Sequence, residues 1–228
     1  MSTFLELCQD LTREAGMSGG GTSPTTVASQ VGEMKRAVEW VLTAYEAVQN
    51  LHPDWLFLQT EFSFPTIAGT ANYTKAAASL TELGNWKDDS FRCYLTATGV
   101  SDQQDLEFVS WQDFRSLYGR GSMSTQSGRP QVITIKPDLS VTTWPISDAV
   151  YTVTGEYYKR AQTMTADADE PLIPQEHQPI IVWKALMYYG AFAAADEKYS
   201  HGQNEYRAAL SAMRSKQLPE MRMGEAMT

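Results

Sequence analysis

The stretch Ile173–Tyr199, IPQEHQPIIVWKALMYYGAFAAADEKY, decides how the rest of the chain is read. From Ile180 to Ala195 it carries one charge, Lys184, among Ile, Val, Trp, Ala, Leu, Met, Tyr, Phe and the single Gly190. A run this long, rich in Ala, Leu and Met, favours a helix over a strand. Ile181, Ala185, Tyr188, Phe192, Ala195 and Tyr199 share one face, and Val182, Leu186, Tyr189 and Ala193 a neighbouring one. A helix apolar over most of its circumference needs cover from several sides, so it is expected at the centre of a bundle. The run is shorter than the roughly 20 apolar residues a bilayer requires, and Lys184 interrupts it, so no membrane span is expected. Pro174 and Glu176 suit a first turn, while Pro179 places the start of the regular helix near itself.

On the N-terminal side, Thr3 to Glu6 matches a capping box, Phe4, Cys8, Leu11 and Ala15 recur at helical spacing, and Gly16 closes the helix. Met17 to Thr26 reads as a flexible connector; its glycines lack the Gly-Lys-Ser/Thr of a phosphate loop. A second helix is expected over 28–51, about 36 Å long at ~1.5 Å per residue, with Met34, Val38, Val41, Tyr45 and Val48 as its apolar stripe. Gln49 falls off that stripe. Pro53 ends the helix, and Trp55 to Phe57 anchors the next segment.

From Thr60 to Arg160 the period changes to two. Phe62, Phe64 and Ile67 alternate with polar residues, as do Phe91, Cys93 and Leu95, then Leu106 and Phe108. Val132–Ile135 and Val141–Trp144 flank a Pro137-Asp138 turn, and Val150–Tyr158 reads as the last strand. Trp111 to Tyr118 is a short helix, followed by a polar loop from Gly119 to Arg129. Asp167 to Glu170 reads as a solvated acidic turn, lacking the spacing and glycine of a calcium loop. His201-Gly202 is expected to turn the chain into a final helix, Gln203 to Gln217, ended by Pro219. The fold class is α+β in one domain, 1–228. A helical bundle from 1–59 and 172–218, with two helices from each end, carries an antiparallel β insertion at 60–160, sandwich or open barrel, and 219–228 forms an extended tail.

At 228 residues, 43% hydrophobic and 20% charged, the chain is an ordinary folded protein with enough length for a substantial core. Its net charge of −9 and pI near 4.8 argue against a surface that grips nucleic acid throughout. Cys8 and Cys93 form neither a metal spacing nor a disulfide framework, and no secretory signal pattern is seen, so a reducing cytoplasm is the expected folding compartment. No catalytic constellation stands out. His52, His177 and His201 are each placed at a helix end, there is no G-x-S-x-G, and neither cysteine carries an activating signature. Arg115, Arg120 and Arg129 surround the Gly-Ser loop, where they fit either a phosphate or acidic partner or a solvated surface. Six Trp and eleven Tyr are many for this length; most are expected in the core, but such side chains also dominate the anchors of protein interfaces.

Four phrases carry a resemblance: TFLELCQDLTREAG from Thr3, VGEMKRAVEWVLTAYEAVQNLHPDWLFL from Val31, VYTVTGEYYKRAQTMTADADEPLIPQEHQPIIVWKALMYYGAFAAADE from Val150, and EYRAALSAMRSKQLPEMRMG from Glu205. Together they resemble the head-to-tail adaptor (connector) proteins of tailed bacteriophages and prophages, in order over nearly the whole chain and more weakly around 60–85. The resemblance implies a structural virion protein with no enzymatic activity and no cofactor. It implies a homo-oligomeric ring, typically a dodecamer, under the capsid portal protein, meeting a tail or nozzle protein below. Double-stranded DNA would pass through its lumen without specific binding. The resemblance also implies synthesis in the host cytoplasm and residence at the head–tail junction of the virion. Within that picture Glu220, Met221, Arg222, Met223 and Met227 are expected to dock on the portal, because thioethers adapt to irregular grooves. Arg120, Ser122, Met123 and Arg129 form an expected partner loop. Some Asp and Glu are expected to line the lumen, repelling phosphates. An alternative is a tail-associated carbohydrate- or receptor-binding module with Trp86, Trp111 or Trp144 as stacking platforms; a third is an enzyme whose site assembles only in three dimensions.

Overall fold

Thr3 sets the first element. In the computed structural model, which describes residues 2–17, 23–78 and 80–219, the Thr3 hydroxyl accepts the Glu6 amide and the Glu6 carboxylate accepts the Thr3 amide. Helix α1 (Phe4–Ala15) comes next, and Gly16 ends it in the left-handed conformation at φ 72°. Helix α2 (Gly32–Gln49) begins later than the expected Ala28. Ser29 takes φ 56°, and the turn before the helix is fixed by Gln30 Nε2 donating to the Thr26 carbonyl at 2.8 Å. At 18 residues α2 spans about 27 Å at ~1.5 Å per residue, shorter than its pattern suggested. Its buried side is Ala37, Val41, Ala44, Tyr45, Val48 and Gln49, so the stripe is rotated toward small residues and Met34 and Val38 are only half-buried. Gln49 is buried because its amide pairs with backbone: Nε2 donates to the Gln162 carbonyl at 3.0 Å and Oε1 accepts the Gln162 amide at 2.9 Å. Trp55 is wholly buried beyond the helix, its Nε1 donating to the Val48 carbonyl at 3.2 Å.

Strands β1 (Gln59–Pro65), β2 (Asn72–Tyr73), β3 (Leu83–Trp86), β4 (Arg92–Leu95), β5 (Gln104–Asp105) and β6 (Glu107–Phe108) precede the short helix α3 (Trp111–Leu117). Then come β7 (Ser127–Gly128), β8 (Val132–Ile135), β9 (Val141–Trp144), β10 (Ile146–Ser147) and β11 (Tyr151–Lys159). The chain closes with α4 (Pro179–Ala193) and α5 (Asp196–Gln217). These are the α+β elements expected, with helices flanking a β region.

The longest strand, β11, organises the first sheet, pairing antiparallel with β1 along one edge and with β4 and β3 along the other. A second sheet runs β2-β9-β8-β6. Phe62, Phe91 and Val153 of the first sheet region meet Tyr73, Ile133 and Val141 of the second in one core, so two sheets face each other across it. Two pairings depart from the antiparallel expectation: β6 with β8 and β7 with β10 are parallel. Between β6 and β8 the segment through α3 supplies the crossover that a parallel return needs, and between β7 and β10 the β8-β9 hairpin does so. The loop after α3 is likewise more regular than expected, with a 3₁₀ turn at Gly121–Thr125 ahead of β7.

Helix α4 starts at Pro179 as expected, but it stops sooner than its composition suggested. Ala194 adopts φ 51° and breaks the run, and α5 then continues through His201 and Gly202 without a turn. Gly202 serves packing instead: a β-carbon there would lie 3.0 Å from the Trp183 carbonyl oxygen, and one at Gly190 would lie 2.7 Å from the Tyr199 amide nitrogen. The two glycines let α4 and α5 pack at backbone contact. The chain divides into two compact units, Gln59–Arg160 and the helical segments before and after it.

Candidate functional site

Helix α4 is covered by α1, α2 and α5, burying Ile180, Ile181, Val182, Ala185, Leu186 and Gly190. One side stays open. Lys184, Tyr188 and Phe192 succeed one another at four-residue spacing, the first two half-buried and Phe192 54% exposed. The Arg36 guanidinium of α2 sits 4.3 Å from the Phe192 ring centre, and Trp40 lies 5.5 Å from the same ring. Lys184 Nζ stands 5.3 Å from the Tyr188 ring and 5.1 Å from Tyr206 of α5. Burial raises the pKa of both tyrosine hydroxyls, keeping them as neutral donors. Aromatic rings with cations over their faces, left partly in water, are the composition of a protein-binding anchor.

Between α1 and α4 lies a slot of about 170 Å³ floored by Leu7, Pro179, Val182 and Trp183. Asp10 and Glu14 stand at its rim, with Arg13 between them at 2.8 and 3.7 Å. The Trp183 ring is steadied edge-on by His201, 5.4 Å away. His201 lies inside α5 rather than at a helix end, since that helix already begins at Asp196.

In the β unit, Arg120 and Ser122 are exposed and Met123 is half-buried, its carbonyl accepting Trp144 Nε1 at 2.8 Å. Arg129 is different. It donates to both Asp102 carboxylate oxygens at 2.9 and 2.8 Å, to the Asp102 carbonyl at 2.6 Å and to the Cys93 carbonyl at 3.1 Å. Its guanidinium thus latches the loop to β4 and is not a solvated contact. The Leu95 amide and Arg129 together hold the Asp102 carboxyl below the usual carboxylate range. Trp86 belongs to the core, 9% exposed and against Phe62 and Phe91, which removes it as a stacking platform. Trp144 lies tilted against Tyr118 at 4.4 Å, and Trp111 stacks on Phe114 at 6.1 Å.

The acidic turn is structural rather than merely solvated. Asp167 Oδ1 accepts the Val27 amide at 2.6 Å and the Thr26 hydroxyl at 3.1 Å, and the carbonyls of Asp167 and Asp169 accept the Leu5 and Phe4 amides at the start of α1. Asp169 Oδ2 accepts the amides of Thr165 and Ala166, which pulls its carboxyl down in pKa. Sequence reasoning missed this role because its partners lie some 140 residues away. Among the described residues no group of three His, Cys, Asp or Glu side chains could hold a metal. Cys8 and Cys93 are both buried, and burial pushes the Cys8 thiol up to about 12, the opposite of an activated nucleophile. His177 is also buried, and desolvation lowers its pKa despite Glu176 at 3.3 Å. A groove of about 700 Å³ on the first sheet is lined by Lys87 and Glu156, already paired at 2.6 Å, and by Arg92, which pairs with Asp105 at 3.1 Å. The expected docking residues Glu220, Met221, Arg222, Met223 and Met227 lie outside the described residues.

An α+β chain whose central helix leaves a cationic, aromatic side open has the makings of a structural protein that binds other proteins through its surface. No described helix is long and apolar enough to cross a membrane. The chain matches the SU10 adaptor protein family over residues 2–227 and belongs to that family, of the phage head-to-tail adaptor type. No curated protein matches it.

Proposed function

We propose that the protein forms a homo-oligomeric ring, expected to be a dodecamer, that joins the capsid portal to the tail and provides the passage for double-stranded DNA. The observation that carries this reading is membership of the adaptor family along residues 2–227. The ring is a non-catalytic virion component without cofactor, made in the host cytoplasm and residing at the head–tail junction. Residues 219–228, with Glu220, Met221, Arg222, Met223 and Met227, dock on the portal, where unbranched thioethers fit irregular grooves. Arg120, Ser122 and Met123 meet the tail or nozzle protein, and Arg129 holds their loop in place through Asp102. With a net charge of −9, acidic residues facing the lumen keep DNA phosphates from sticking.

The test is to mix the full-length chain with portal rings and image the product. An annular layer under the portal, lost when 220–228 is deleted while the circular-dichroism spectrum is kept, is the expected result. Portal rings that never acquire such a layer, or particles lacking the chain that keep their DNA and their tails, would overturn the reading.

A further inference from the structure

We infer that neighbouring copies meet through two opposite sides of α4: the Lys184–Tyr188–Phe192 side of one copy seats in the α1–α4 slot of the next. The inference rests on the ring reading above and specifies the surfaces that build it. At about 100° per residue, the direction shared by Lys184, Tyr188 and Phe192 lies roughly 180° from that shared by Pro179, Val182 and Trp183. A surface that binds its own copy closes as a dimer, whereas two different surfaces propagate from copy to copy. When those surfaces are nearly opposite, each step turns by a small angle, and closure needs many copies. Two opposed, unlike surfaces on one helix are what a large ring requires.

Their chemistry is complementary. The open side carries the cations Arg36 and Lys184 beside a large exposed ring, Phe192. The slot has an apolar floor and a rim carrying two carboxylates, Asp10 and Glu14, with Arg13 between them and Lys198 Nζ held on the Glu14 carbonyl at 2.6 Å, so the carboxylates are the groups an incoming cation would meet. Its volume of about 170 Å³ accommodates one aromatic ring, since a cavity of about 150 Å³ already binds benzene. Seating Phe192 there removes the ring from water, and the flanking Arg36 and Lys184 come to the acidic rim. An aromatic anchor set among opposite charges gives both affinity and register.

The test uses the full chain with Arg13→Cys and Ala191→Cys together, which keeps the Phe192 ring in place, both sites being exposed while the native Cys8 and Cys93 are buried. Oxidised on portal rings, the double variant should give a ladder of covalent oligomers extending beyond the dimer, and either single variant should give none. Separately, Lys184→Glu and Asp10→Lys should each reduce ring yield on portals at least fivefold, and their combination should recover most of it. Rings without a ladder, dimers from Ala191→Cys alone, or wild-type yield from both charge variants would overturn the inference while leaving the ring reading intact. Absence of any ring from the wild-type chain would overturn both.

Discussion

In the helical unit Gly190 brings α4 against the backbone of Tyr199; in the β unit Gly155 lies against the Phe62 ring, although Gly84 there also meets backbone, at Arg160. A β-carbon at Gly190 would come 2.7 Å from a main-chain nitrogen, and one at Gly155 would come 2.8 Å from the Phe62 ring. The first obstacle belongs to a helix and cannot move alone; the second is a side chain with some rotational freedom. Polar groups divide the same way. In the helical unit Gln49, Gln178 and Asp167 bond the backbone of irregular segments, while in the β unit Arg129 and Asp102 form a charged clasp. The helical unit therefore fixes helix spacing through small residues, and the β unit fixes loop position through long side chains.

The strongest challenge to that contrast is Trp55→Ala. Removing a wholly buried ring and its bond to the Val48 carbonyl should cost about 3–5 kcal/mol, read from urea unfolding. The glycine comparison comes next. Gly190→Ala should destabilise by about 2–3 kcal/mol and Gly155→Ala by about 1–2 kcal/mol, and the reverse order would refute the distinction between the two kinds of contact. Thr3→Ala, which removes the cap of α1 alone, should cost about 1 kcal/mol and leave the β unit's near-ultraviolet signal unchanged.

The smallest effect is one of pH. His177 is buried and its pKa is lowered from 6.5 by desolvation, with Lys216 acting in the same direction and Glu176 opposing. The unfolded chain then takes up this proton first, so stability is complete above about pH 6.5 and declines as pH falls toward the folded-state value. Melting temperatures between pH 7 and 5 should fall, and His177→Gln should flatten that slope. An unchanged slope would mean other groups set it.

How far the sequence could be read depended on the range of the interactions. The cap at Thr3, the stop at Gly16 and the start of α4 at Pro179 are local and were legible. The break at Ala194 was not, because alanine is the strongest helix former and only the close crossing of α4 and α5 explains its left-handed conformation there. Gly202 looked like a turn for the same reason: a glycine needed for close packing and one needed for a turn are identical in sequence. Composition marked α4 as apolar on every side, yet which side lacks a partner emerged only with α1, α2 and α5 in place. The clasp of Arg129 on Asp102 and the role of Asp167 join residues far apart in the chain, and no periodicity announces such pairs.

The bonds from Phe4 and Leu5 to the turn at Asp167–Asp169 have a bearing on biosynthesis. On a ribosome α1 and α2 emerge first, yet the turn that clasps α1 and the helix that covers both appear only after the intervening strands are made. At roughly 5–20 residues per second the delay is on the order of ten seconds. Throughout it, the apolar stripes of two nascent helices stand uncovered, so a chaperone-depleted host should lose this protein to aggregation during translation rather than after release.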